Sequence, residues 1–187
     1  MTSSQTFDLS GRLVLVTGAT RGIGRAVAIG AAAAGAELII TGRTTGALEE
    51  VDDAIRQTGG TATIVEMDMK DYPAMPRLAA VIHERWGRLD GFVANAAILA
   101  PLTPITHLTP ENWDESVAVN LTGQWHMIRA LTRCCVRPHP GAPFLSARAL
   151  RLAAGHSGGP MRPPRLRWRR LAGPGPAKVN KPICGST

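Results

Sequence analysis

The sequence predicts an α/β chain: a truncated, doubly wound parallel sheet followed by an irregular basic tail. Three observations carry that prediction. Short apolar runs alternate with helical stretches from residue 12 to residue 132, as they do where strands are buried between two layers of helices. A glycine-rich turn joins the first run to the first helical stretch. Near residue 134 the alternation stops and the composition changes. Residues 1–136 hold 11 Lys+Arg against 14 Asp+Glu, whereas residues 137–187 hold 10 Lys+Arg and no acid. Nine of the 14 prolines also fall in that second stretch. The overall charge of +7 is therefore a property of the tail. We divide the chain into an arm (1–10), an incomplete domain (11–133) and a Pro/Arg/Gly-rich tail expected to be disordered (134–187).

Each element has its own reason. Residues 12–17 are apolar and end in glycine, which suits a buried parallel strand. Residues 22–34 are rich in alanine, the best helix former, with Gly35 as the stop. Residues 37–41 form a second strand, and 45–58 a polar helix ending at Gly59-Gly60. Residues 61–67 alternate like a third strand. Residues 72–86 form a third helix, with Pro73 and Pro76 near its start, where proline is tolerated. Residues 89–95 form a fourth strand. Thr109-Pro110-Glu111 then opens a long helix with an N-cap hydroxyl, proline at the first position and an acid in the first turn. Trp113, Val117, Leu121, Trp125, Ile128 and Leu131 recur at spacings of three and four and define its apolar face.

Composition excludes several classes. At 44% hydrophobic and 19% charged residues, the chain reads as globular. No run of about 18 apolar residues suggests a membrane span. The first ten residues lack a basic stretch followed by an apolar one, so no secretory signal is expected. Three cysteines make no disulfide framework, and the cytoplasm is the expected compartment. Cys134 and Cys135 are adjacent rather than two residues apart, and His139 and His156 complete no metal site.

The chemistry begins at Thr17-Gly18-Ala19-Thr20-Arg21-Gly22-Ile23-Gly24. A diphosphate must come close to the backbone, and glycine leaves room for it. The following helix offers free N–H groups and a partial positive charge. The spacing is Gly-x-x-x-Gly-x-Gly. Asp68 follows the third strand, Ala94-Asn95-Ala96-Ala97 follows the fourth, and Asn120 lies within Val119-Asn120-Leu121 on the long helix. Together these motifs resemble the short-chain dehydrogenase/reductase family over residues 10–132. The resemblance implies a Rossmann-like sheet of order 3-2-1-4 and a nicotinamide cofactor held by Thr17, Gly18, Thr20, Arg21, Gly22, Ile23, Gly24, Arg43, Asp68 and Asn95. It places Asp68 against the adenine. It also makes Asn120 the one recognisable member of the family's Asn-Ser-Tyr-Lys catalytic set. The family's Asn-Asn-Ala-Gly element carries alanine here at its first and last positions. A carboxylate after the second strand would favour NAD. The chain has Gly42-Arg43 there and Arg21 in the glycine turn, so NADP is expected over NAD.

The Tyr-x-x-x-Lys signature is missing. The single tyrosine, Tyr72, has Pro76 four residues on, and the lysines are Lys70, Lys178 and Lys181. A one-base shift of reading frame near residues 131–134 would account for the break. In the shifted frame, Pro160 to Arg165 permit Tyr-Ala-x-Ser-Lys, and Pro143 to Ala149 permit Ile-Phe-Val-Ser-Ser-Gly. The second of those serines falls 13 residues before the restored tyrosine. Arg133 to Val136 permit Leu-Leu-Arg. As written, the chain is expected to be marginally stable, to bind NADP weakly, to transfer no hydride and to leave residues 91–97 as an exposed apolar edge. One rival is a non-catalytic NADP-binding module, or a homo-oligomer formed through the helix beginning near Thr109, which resembles one that many family members use in dimers. A second is nucleic-acid binding through Arg162 to Arg170, which charge alone supports poorly.

Overall fold

The computed structural model of the chain describes residues 8–134. Four parallel strands, β1 (Leu13–Thr17), β2 (Glu37–Gly42), β3 (Thr61–Glu66) and β4 (Gly91–Val93), form one sheet in the order β3-β2-β1-β4. Strand β1 is the hub. It pairs Val14 with Leu38 on one side and with Gly91 on the other.

Side chains on a strand alternate between faces, and β1 therefore serves two cores. Leu13 and Leu15 join a cluster with Ile39, Phe92, Met75, Ile82, Met127 and Leu131. Val14 and Val16 join another with Leu38, Ile40, Ala28, Ala32, Leu48, Val51 and Ile55. The second core is covered by α1 (Gly22–Ala33) and α2 (Thr45–Gln57), the first by α3 (Ala74–Trp86) and α5 (Gln124–Cys134). This is the doubly wound arrangement that the alternating sequence predicts. Helix α1 presents Gly24, Ala28 and Ala32 to the sheet, so small residues let its backbone lie close. Gly35 leaves the helix at φ +93°, a conformation that favours glycine.

Three boundaries differ from the sequence reading. Helix α3 starts at Ala74, with Pro73 as its N-cap, so Tyr72 precedes the helix. Strand β4 spans three residues rather than seven. Its apolar residues are not exposed, because Phe92 packs into one core and Val93 into the other, at 3% and 6% exposure. The long helix is interrupted. Thr109 caps α4 (Pro110–Val117) as expected, its Oγ1 accepting from the Asn112 N–H at 3.4 Å. Wider, π-type turns then run from Ala118 to Gly123 before α5 begins. They rotate the inward face onto Val119, Gln124, Met127, Ala130 and Leu131. Trp113, Leu121 and Trp125, read as part of the apolar face, are half exposed or more, at 50–64%. Among the described residues no helix is long and apolar enough to cross a membrane.

Candidate functional site

The strand order sets the segments that follow the four strands in a row along one edge of the sheet. They are Met67–Met69 after β3, Gly42-Arg43 at the end of β2, the glycine turn after β1 and Asn95–Ile98 after β4. Together with Val119 they line a cleft of about 300 Å³. The crevice outside the strand ends, where the order reverses, is where open α/β sheets bind ligands.

The glycine turn is built for close packing at two positions. Gly18 has φ +65°, and a Cβ there would lie 2.7 Å from the Ala96 Cα. A Cβ on Gly24 would lie 2.3 Å from the Gly18 carbonyl oxygen and 2.4 Å from Asn95 Nδ2. Gly22 differs: it has φ +58° and no atom within 4 Å of a Cβ, so it faces open space. No side chain caps the start of α1 and no acidic residue stands in its first turn. The start of α1, where Gly22 and Ile23 line the cleft, is therefore uncapped by any side chain, which fits an anionic group.

Thr17 and Asn95 hold this turn against β4. The Thr17 hydroxyl donates to the Val93 carbonyl at 3.2 Å and accepts from the N–H groups of Asn95 and Ala96 at 3.1 Å each. Asn95 Nδ2 donates to the carbonyls of Thr17 and Gly18, both at 3.0 Å. Asp68 accepts from the Lys70 N–H at 2.8 Å, which turns the chain as it leaves β3. Arg21 and Arg43 are exposed at the cleft rim. Asn120, in the π-type segment, grips Ile98 with both ends of its amide: Oδ1 accepts from the Ile98 N–H and Nδ2 donates to its carbonyl, each at 2.9 Å.

Of the residues singled out from sequence, Gly18, Thr20, Arg21, Gly22, Ile23, Arg43, Asp68 and Asn95 line the cleft. Thr17 and Gly24 lie beneath it, and Asn120 supports it through Ile98. Gln124 was not anticipated. It is buried and donates to the Ala96 carbonyl at 2.6 Å. Nothing in a helical pattern distinguishes such a glutamine from a solvated one. Tyr72 does not line the cleft; its hydroxyl donates to the Ala118 carbonyl at 3.3 Å. Among the described residues the lining includes no tyrosine or lysine. The Pro/Arg/Gly tail, with Arg162 to Arg170 and the segments read in the shifted frame, lies outside the described residues.

The family profile described as short chain dehydrogenase matches residues 12–142. The chain belongs to the short-chain dehydrogenase/reductase family. Among similar proteins of this family, a sorbitol dehydrogenase of Cereibacter sphaeroides is 32% identical over 138 residues, covering 74% of this chain and 52% of the relative. A 3β-hydroxysteroid dehydrogenase of Mediterraneibacter gnavus is 34% identical over 131 residues, covering 70% and 47%. A metagenomic short-chain oxidoreductase, solved in complex with NADP, superimposes with a TM-score of 0.64 at 33% identity, covering 67% of this chain and 57% of that one. The chain thus spans about half the length of the curated relatives it matches.

Proposed function

We propose that residues 11–133 form a nicotinamide-cofactor-binding domain of the short-chain dehydrogenase/reductase type that takes NADP in preference to NAD. The observation that carries this reading is the uncapped start of α1 beneath the glycine turn, with Arg21 and Arg43 at the rim and Asp68 beyond them. The α1 amides would hold the diphosphate, the two guanidiniums the 2′-phosphate, and Asp68 the adenine. Thr17 and Asn95 would fix the turn. That a similar solved enzyme was crystallised with NADP supports the same reading.

Such a cofactor, when bound, supplies or accepts hydride. The proton transfer that accompanies it needs an acid or base within hydrogen-bond reach of the substrate oxygen. The described cleft offers the Asn120 support but neither tyrosine nor lysine. We therefore propose that the chain as written binds cofactor without catalysing carbonyl reduction or alcohol oxidation. In this reading residues 134–187 are an out-of-frame tail, and the parent protein is an NADP-dependent reductase of the cytoplasm. The exposure of Trp113, Leu121 and Trp125 supports self-association through the helices after Thr109.

Titration of NADPH and NADH, followed by nucleotide fluorescence, tests the cofactor reading. A charge-assisted hydrogen bond is worth about 1.5–3 kcal/mol, so NADPH should bind about ten- to a hundredfold more tightly, and R43E should abolish the preference. Equal affinities would overturn it. Robust NADPH oxidation by mass-confirmed chain with any carbonyl substrate would overturn the inactivity. Resequencing the gene across codons 128–165 decides the frame.

A further inference from the structure

Strand β4 ends at Val93, so the cleft floor from Asn95 to Ile98 lies beyond the ladder that fixes β4 against β1. Three amide side chains set its height instead. Asn95 reaches the glycine turn, Asn120 grips Ile98, and Gln124 Nε2 donates to the Ala96 carbonyl at 2.6 Å. Asn95 and Asn120 each satisfy both of the backbone groups they face. Gln124 does not: its Oε1 is buried and has no hydrogen-bond partner among the described residues, in a side chain at 7% exposure.

A buried, unsatisfied amide oxygen costs about 1–3 kcal/mol. A methionine of nearly the same shape would carry no such cost, and that gain offsets the loss of the hydrogen bond to the Ala96 carbonyl. Gln124 thus gains the fold little net stability, and its one polar contact falls on the cleft floor. We infer that Gln124 is a positioning residue for the cofactor site, holding Ala96 so that Ala96–Ile98 form a bed for the part of the dinucleotide beyond the diphosphate. The inference rests on the cofactor reading above. The direction follows from the strand order. With the diphosphate at β1 and the 2′-phosphoadenosine toward Arg43 and Asp68 after β2 and β3, the other nucleoside must lie toward β4, over Ala96–Ile98.

This placement separates a positioning role from a structural one. Gln124 should matter to the whole dinucleotide and not to its adenosine half. In the full chain, Q124M should weaken NADPH about five- to tenfold while leaving adenosine 2′,5′-bisphosphate within about twofold, and should not lower the thermal midpoint. Q124E supplies a second readout. Ionised, a glutamate cannot donate to the Ala96 carbonyl; protonated, it can. Burial raises a carboxyl pKa, so the NADPH deficit of Q124E relative to wild type should shrink as the pH is lowered from about 8 to about 6. If wild type binds neither ligand, the cofactor reading itself has failed. If wild type binds both and Q124M loses both equally, loses neither, or no longer folds, the cofactor reading stands and the positioning role is overturned.

Discussion

Gly24 shows how little freedom the cleft allows a single residue. The Gly18 carbonyl and the Asn95 amide both lie where its Cβ would be. Neither neighbour can yield without cost: one is backbone, and the other is tied to two carbonyls at 3.0 Å. G24A should therefore push Asn95 off the turn and loosen the bed that α1 offers to an anion. We expect NADPH affinity to fall at least about tenfold, and stability by about 1–3 kcal/mol, the scale of overpacking. Fluorescence titration and urea unfolding check the two parts. G22A makes the comparison, since its Cβ would meet no atom within 4 Å and its cost lies in the positive φ of 58°. The turn was legible in the sequence because glycine has no substitute at such contacts. Gln124 was not legible, because its role depends on which way a helix faces.

That facing is settled at the scale of the element. The spacing of Trp113, Val117, Leu121 and Trp125 reads as one apolar face of an unbroken helix. The π-type turns at 118–123 break the register, and a residue count cannot reveal them, because no proline or outlying glycine pattern marks the place. Gly123 lets them pack closely on the turn after β3, since a Cβ there would lie 2.5 Å from the Met69 carbonyl oxygen. Tyr72 anchors them. Its hydroxyl donates to the Ala118 carbonyl, where α4 gives way, and its ring stacks on His126 with centroids 4.5 Å apart. The strands were easier to read. Their apolar runs need no register, and the alternation of β1 between two cores follows from the pleat alone. Y72F should keep the stack, lose the hydrogen bond and cost about 0.5–1.5 kcal/mol in urea unfolding, with Asn120 still held to Ile98. A loss near zero would show that the Ala118 carbonyl finds another partner.

Across the whole molecule, the cleft occupies one end of the sheet and a charged knot closes the other. Asp90, just before β4, accepts from the Leu13 N–H at the start of β1 at 2.9 Å, and pairs with Arg88 at 3.1 Å and Arg12 at 3.4 Å. Arg88 also donates to the Gly11 carbonyl at 2.7 Å. Burial alone would raise the Asp90 pKa, but the Leu13 amide and the two guanidiniums outweigh it and hold the carboxyl below its ordinary value. A group with a lowered folded pKa stabilises above its unfolded pKa and loses that contribution as the pH falls through the folded one. The knot should therefore be at full strength at neutral pH and fade below about pH 3.9, the unfolded aspartate value. Lys70 works in the opposite direction. Its bond to Glu115 at 3.0 Å raises its pKa, so its contribution is present below 10.5 and is lost as the pH climbs through the folded value. D90N keeps the shape and removes the charge. At pH 7 it should cost about 1.5–3 kcal/mol, the worth of hydrogen bonds to a charged group. That gap should close in acid, because the wild-type carboxyl is then neutral too. Urea unfolding of both proteins across the acid range measures the gap. A gap that is constant with pH would mean that the amide geometry, rather than the charge, binds the two strands at this end.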